Sequence, residues 1–349
     1  MRILINIPNL KLLGGVSNHY LGLKDYWSLN VKYNVVGRRS YKKKSGLYWF
    51  PFDIVKFCWR LLFFSPDLVL LNPSLATSAV KRDMIFLSIA KSLNKKVIIF
   101  FHGFNSNSIK EIDSDKLVRN LNKCCCVLVL ANQFKTELIN WGITVPIKIT
   151  TTKVDDKLIK DFDIKMRKNK VHNILFLSRI VKAKGVFIAL DCFSLLKKRY
   201  PYLTLSVVGD GISLEEAKLY CTNNNIESVI FKGELNGREL VSEFEDGDIY
   251  LFPSSHYEGM PTSVLEAMAF GLPIITTPVG GLPDFFKDGE MGCIVNSSDP
   301  MDFKLAIEKY ILAPELIKGT SFFNYEYAKN NFLASLVAKK MERIFMDCI

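Results

Sequence analysis

Two carboxylates, Glu258 and Glu266, stand with seven residues between them in the stretch EGMPTSVLEAMAFGLPIITTPVGGL, Glu258 to Leu282. Gly259, Met260, Pro261 and Thr262 follow the first, and the second falls inside a helix-like run. Carboxylates are strong acceptors for paired hydroxyls, so two acids on one strand-loop-helix junction could grip two sugar rings of one ligand. The loop amides and the helix start between them could hold a diphosphate. Ribose, diphosphate and sugar in a row have that layout. A second reading stays open for Glu266, because Ser263-x-x-Glu266 is also a capping box. Glu258 taken alone is a solvated loop side chain.

Such residues need elements to carry them. Short apolar runs, Arg2–Ile7, Asp67–Leu71, Val97–Phe101 and Cys126–Leu130 in the first half, read as buried strands. Ile174–Leu177, Leu203–Val208, Val229–Lys232, Ile249–Phe252 and Pro273–Thr277 read the same way in the second. Between them lie amphipathic stretches such as Lys81–Leu93, Phe187–Arg199 and Ser213–Asn224. Strands alternating with helices predict parallel sheets covered on both faces, with ligands at the carboxyl ends of the strands. The polar stretch Thr151–Lys170, which includes DFDIKMRKNK, separates two such sets. The expected division is therefore 1–155, 156–324 and a terminal helical segment 325–349, with helical spacing over Tyr325–Met346.

The 349 residues suffice for two ordinary domains, and 49% hydrophobic content allows a large core. The eight cysteines form no CxxC pair. Cys124, Cys125 and Cys126 are adjacent, and neighbouring strand residues face opposite ways, so buried reduced thiols are expected, not zinc or disulfides. MRILINIPNL is broken early by Pro8 and reads as a first strand, not a signal peptide. The apolar stretch Ile54–Leu71 is interrupted by Lys56, Arg60, Pro66 and Asp67, so no spanning helix is expected. These features predict a cytoplasmic protein, peripheral on the inner membrane face at most.

Charge is uneven. Residues 1–155 hold 23 Lys+Arg against 9 Asp+Glu, whereas 156–349 hold 23 against 26. The first half should therefore meet something anionic: a membrane surface, nucleic acid, or a phosphate-bearing substrate. No nucleic-acid module is recognisable, so nucleic acid is not an expected partner. Arg38, Arg39, Lys42, Lys43 and Lys44 precede Tyr48-Trp49-Phe50-Pro51-Phe52. That basic loop with its aromatics predicts contact with anionic lipid, while Ile54–Phe64 reads as a core helix packed on the sheet.

Glu258-Gly259-Met260-Pro261 through Glu266-Ala267-Met268-Ala269 to Gly271 and Pro273, continuing in Thr277-Pro278-Val279-Gly280-Gly281, Asp288-Gly289 and Gly292, resembles glycosyltransferase family 4. That family comprises retaining transferases of GT-B architecture, including bacterial surface-polysaccharide enzymes of the O-antigen and capsule type. The resemblance implies that Glu258 approaches donor-sugar hydroxyls with the amides of Gly259 to Thr262 beside it, and that Glu266 holds the ribose. Ser178-Arg179-Ile180-Val181-Lys182-Ala183-Lys184-Gly185 is similar to the family's G-R-L-x-x-x-K-G segment, with Ser178 in place of glycine. There Arg179 and Lys184 would neutralise the diphosphate. Val207-Val208-Gly209-Asp210-Gly211 resembles the family's V-G-x-G turn, and Lys232 lies where the family places the nucleotide base. Gly209 is equally explained as a turn glycine. Gly14-Gly15, with His19 four residues beyond Gly15, resembles the family's glycine-rich loop, and His102-Gly103 stands where the family often has a histidine near the donor sugar's reacting end. His256 has no assigned role, and His172 reads as structural.

The resemblance covers Ile174–Val295 strongly and the first half loosely. It implies a fold of two Rossmann-like domains with parallel sheets facing across a cleft. The first domain would bind the acceptor and the second the nucleotide-sugar donor. His102, Arg179, Lys184 and Glu258 would be catalytic; Gly14, Gly15, Gly209, Lys232, Gly259, Met260, Pro261, Thr262 and Glu266 would line the donor site with them. The expected partners are a UDP- or GDP-linked sugar and a glycan or lipid-linked oligosaccharide acceptor, with no cofactor and no metal. A nucleotide-sugar 2-epimerase on the same fold and a basic nucleic-acid-binding protein are the alternatives.

Overall fold

The structure, a computed structural model, describes residues 1–12, 14–39, 45–73, 77–103, 114–256 and 258–349. The chain divides into two compact units: Met1–Lys153 with Tyr257–Met260 and Ala334–Ile349, and Val154–His256 with Pro261–Leu333.

In the first unit β1 (Arg2–Ile7), β2 (Asn30–Val35), β3 (Leu68–Leu71), β4 (Lys96–Phe100), β5 (Cys126–Val129) and β6 (Ile147–Ile149) form one parallel sheet in the order β2-β1-β3-β4-β5-β6. The period of two sorts its residues cleanly. Leu4, Val69, Leu71, Val97, Ile99, Val127 and Val129 pack under the helices Ser45–Phe63 and Thr77–Ser92, joined by Phe57, Leu61 and Phe86. Ile3, Ile5, Leu70, Ile98, Phe100 and Leu128 face the other way, toward Tyr20, Leu23 and the last helix, Ala334–Met346. That helix presents Ala334, Val337, Ala338, Met341 and Phe345, the i, i+3, i+4, i+7, i+11 spacing of one apolar face. Glu342 pins it down, accepting from the Ser28 amide at 2.6 Å, the Ser28 hydroxyl at 2.6 Å and the Leu29 amide at 2.9 Å.

In the second unit β7 (Asn173–Leu177), β8 (Thr204–Val208), β9 (Val229–Gly233), β10 (Ile249–Phe252), β11 (Ile274–Thr276) and β12 (Gly292–Ile294) are again parallel, in the order β12-β11-β10-β7-β8-β9. This is the doubly wound order, whose direction reverses between β7 and β10. The helices Val186–Arg199, Leu214–Asn223, Gly237–Asp246, Thr262–Ala269, Pro300–Leu312 and Glu315–Asn331 complete the unit. Half-buried Arg167 gathers their ends, donating to the Phe270 carbonyl at 2.6 Å and to the carbonyls of Phe244, Glu245 and Gly247.

Three expectations need correction. Three strands, β2, β6 and β12, escape a search for buried apolar runs because each is an edge: β2 alternates polar and apolar residues, and β6 and β12 have three residues each. The segment Tyr325–Met346 is two helices, which break at Phe332–Leu333, where Val154 bridges to Leu333. Tyr48–Phe52 lies within the helix Ser45–Phe63 rather than in a loop, even with Pro51 inside it. Lys42, Lys43 and Lys44 lie outside the described residues. Among the described residues no helix is long and apolar enough to cross a membrane.

Candidate active site

In the second unit the segment after β7, with Arg179 and Lys184, and the helix after β10, with Thr262 and Glu266, follow the two strands between which strand order reverses, while Glu258 to Met260 belong to the first unit. Three backbone approaches lock this region. A Cβ on Gly209 (φ +130°) would meet the Ser178 carbonyl oxygen at 1.9 Å, and one on Gly211 would meet that of Ile180 at 2.2 Å. Gly185 (φ +82°) lies against Pro253, whose carbonyl oxygen would be 2.0 Å from an added Cβ. Ile180 N–H donates to the Asp210 carbonyl at 2.9 Å, and Ser255 N–H to that of Ala183 at 2.9 Å. Gly209 is thus fully accounted for by chain geometry.

Arg179 is exposed just beyond the end of β7, its guanidinium with no hydrogen-bond or ion-pair partner among the described residues. Lys184 closes the 3-10 turn Lys182–Lys184 and is 8% exposed, with Nζ 5.7 Å from the centre of the Phe252 ring. Lys232 on β9 is committed to an ion pair with Glu243 at 3.1 Å. Pro261 is the N-cap of the helix Thr262–Ala269, which places Thr262 at its first turn and Glu266 half-buried further along. The capping box is not formed: no side chain caps this helix, and the Ser263 hydroxyl instead meets the Tyr250 hydroxyl at 2.7 Å. Tyr250 also bonds the Leu177 carbonyl at 2.7 Å, tying the helix start to the end of β7.

In the first unit, strand order reverses between β1 and β3. Gly14 and Gly15 open the helix Gly15–Leu23 just after β1, and a Cβ on Gly15 would meet nothing within 4 Å. A buried polar cluster occupies the strand ends. Asn72, directly after β3, donates from Nδ2 to the Asn6 carbonyl at 2.7 Å, which fixes its Oδ1 as the acceptor for its other neighbours. Tyr20 donates to that oxygen at 2.6 Å, and His102 Nε2 lies 2.9 Å from it. His102 must therefore carry its proton on Nε2, leaving Nδ1 as an acceptor. Burial holds the His102 imidazole down to about 3, so it is neutral at ordinary pH. His19 is also buried, its ring centre 5.0 Å from that of His102, and burial, His102 and Lys153 hold it well below the usual histidine range.

Gly259 belongs to this first unit, where a Cβ would meet the His102 carbonyl oxygen at 1.9 Å. Met260 packs on the apolar cluster of the same unit, and Glu258 beside them is half-buried. The motif's glycine is thus dictated by close approach to the His102 backbone. Asn72 and Tyr20 escaped the sequence reading. A polar residue ending the apolar run LVLL was the signal for Asn72.

The spelling Asp161-Phe162-Asp163 occurs in the linker, but Asp163 accepts from the Lys165 amide at 3.0 Å as a turn cap. Among the described residues no group of three His, Cys, Asp or Glu side chains is placed to hold a metal ion.

Two parallel sheets of this order, with cationic and acidic strand-end loops, define a GT-B protein. Residues 159–321 match the family described as glycosyl transferases group 1. The chain is 25% identical over 320 residues to the uncharacterized glycosyltransferase MJ1069 of Methanocaldococcus jannaschii, covering 89% of this chain and 79% of that one. It is 26% identical to the capsular polysaccharide biosynthesis glycosyltransferase CapM of Staphylococcus aureus over 62% of this chain and 56% of CapM. The match to the amylovoran biosynthesis glycosyltransferase AmsK of Erwinia amylovora spans about half of that protein, 53%. Anabaena HepE, solved with UDP and glucose, shares the fold over 99% of both chains with a TM-score of 0.76 at 15% identity. Just under half of the chain, residues 159–321, is thus similar to the group 1 glycosyltransferases, and the fold is GT-B.

Proposed function

We propose that this protein is a retaining glycosyltransferase that moves a hexose from a UDP- or GDP-linked donor to a glycan acceptor, lipid-linked and met at an anionic membrane surface, in bacterial polysaccharide or lipopolysaccharide synthesis. The observation that carries the reading is the second unit's switch point. There Arg179, free of protein partners among the described residues, and the turn bearing Lys184 stand at strand ends locked by Gly185, Gly209 and Gly211. Cations fixed at that place suit a diphosphate. The helix Thr262–Ala269 offers its first amides to the same charge, and the half-buried carboxylate of Glu266 on that helix is an acceptor suited to ribose hydroxyls.

In the transfer, the acceptor oxygen bonds the sugar's anomeric carbon on the face from which the bond to the phosphate oxygen breaks. The acceptor's proton passes to the departing phosphate, whose charge Arg179 and Lys184 stabilise. Neutral His102 offers its Nδ1 lone pair to a donor-sugar hydroxyl, and Glu258 accepts from others. The names of HepE's ligands and of the capsule and amylovoran relatives support the donor class and the polysaccharide product.

The test is a screen of UDP- and GDP-sugars by thermal shift, then incubation of the stabilising donor with and without glycan acceptors. The reading expects stabilisation by a donor and a product of unchanged anomeric configuration that forms only with acceptor. Epimerised nucleotide sugar formed without acceptor would overturn it.

A further inference from the structure

The helix Ser45–Phe63 is apolar on two opposite faces. Phe50, Asp53, Ile54, Phe57, Leu61 and Phe64 run along the side packed on the sheet. Asp53 is satisfied there by the Gly37 amide at 2.7 Å and by Arg39. The outer side holds Tyr48, Phe52, Val55, Trp59, Leu62 and Phe63, each between 58% and 73% exposed. Their spacing, i, i+4, i+7, i+11, i+14 and i+15, confines them to an arc of about 100° at 3.6 residues per turn. A soluble helix reserves that side for polar residues, and six large apolar side chains in one stripe mark a contact surface.

Charge selects the partner. Lys56 and Arg60 border the stripe, and burial together with Arg60 and Arg39 lowers the Lys56 ammonium below its usual range. Where the stripe ends, a cavity of about 360 Å³ is lined by Arg2, Lys32 and Arg60 beside Trp59 and Phe63. Arg60 is held by the Tyr33 carbonyl, Lys32 lies 4.4 Å from the Phe64 ring centre, and Asp67 engages the Arg2 backbone amide at 2.8 Å. An apolar, Trp-bearing stripe, cations along one border and a cationic cavity at one end complement the acyl boundary and head groups of an anionic bilayer.

We propose that the helix Ser45–Phe63 lies in the plane of an anionic membrane, its Tyr48–Phe63 stripe at the acyl boundary and a lipid phosphate in the Arg2–Lys32–Arg60 cavity. Docking on a lipid-linked acceptor's membrane rests on the transferase reading; adsorption itself does not. This extends the expected lipid contact beyond the basic loop, and it replaces the expectation that the helix is wholly core.

The full chain is tested by co-sedimentation with phosphatidylcholine vesicles, with and without phosphatidylglycerol. The expected result is binding only to the anionic vesicles. Val55→Ser/Trp59→Ser should reduce it at least tenfold, and Lys32→Ser should reduce it less. Brominated lipid should quench wild-type tryptophan fluorescence more than that of Trp59→Phe. Because the stripe is exposed, melting temperature and UDP or GDP binding should stay unchanged in these variants. Equal binding by wild type and Val55→Ser/Trp59→Ser would overturn the proposal. So would a concentration-dependent dimer, seen by light scattering and lost in that variant, in a protein that ignores vesicles. If wild type sediments with vesicles but binds no nucleotide, the transferase reading fails while membrane docking stands.

Discussion

At the ends of its central strands the second unit carries charge, Arg179 and Lys184, whereas the first carries an uncharged cluster of buried Tyr20 and Asn72 with half-buried His102. Both positions lie where strand order reverses in a parallel sheet. The difference teaches how one architecture divides labour. An exposed guanidinium and a nearby buried ammonium suit a diphosphate whose charge grows as it departs. A desolvated imidazole, kept neutral and fixed in one tautomer by Asn72, suits a sugar hydroxyl, which needs an oriented acceptor without net charge. Glycine serves both ends alike, at Gly209 in one and Gly259 in the other, because in each a carbonyl oxygen occupies the space of a Cβ.

The comparison is broken most directly by removing charge from one side. Lys184→Ala should lower kcat by about 10²–10³, the cost of one well-placed stabilising group, with the fold retained. Wild-type turnover would remove Lys184 from the chemistry. Gly259→Ala forces a Cβ onto the His102 carbonyl oxygen, so it should cost activity together with several degrees of melting temperature. A fully active, equally stable variant would show that the close approach is dispensable. Glu266→Ala should raise the donor's KM about 10- to 100-fold, as expected for a charged hydrogen-bonding group, with little change in melting temperature. A large loss of stability with unchanged KM would return Glu266 to a structural role.

The remaining effect is on stability against pH, not on turnover. The His102 pKa is lower folded than unfolded, so the unfolded chain binds more protons between about 3 and 6.5. This contribution is therefore complete above about pH 6.5 and is lost as pH falls toward 3, by about 1.4 kcal/mol per pH unit. Denaturant titrations across that range should show the slope in wild type and a shallower one in His102→Asn. Activity should show no inflection near 6.5 that His102→Asn abolishes.

Much of this was legible in the residues. The central strands announce themselves as apolar runs because parallel sheets are buried on both faces. Edge strands such as β2 do not, since one side of the pairing is open and half their residues are polar. The motif spacing picked out Arg179, Lys184, Glu258 and Glu266 but left the Ser263–Glu266 capping box open; Pro261 at the N-cap and the Tyr250–Ser263 contact exclude that box. Lys232 stands in sequence where the nucleotide base is expected, and its ion pair with Glu243 is visible only in the fold. Asn72 is legible only once β1, β3 and β4 are adjacent, because its partners Asn6, Tyr20 and His102 are distant in the chain. The outer stripe of the helix Ser45–Phe63 hid behind its own hydrophobicity, since an all-round apolar helix reads as core.

The central claim is that the second unit's strand-end cations hold a nucleoside diphosphate. Calorimetric titration of UDP and GDP into wild type and Arg179→Ala/Lys184→Ala tests it most directly. The account predicts binding of one of them by wild type and at least a hundredfold loss in the double variant at unchanged melting temperature. Equal affinity in the two proteins would contradict it.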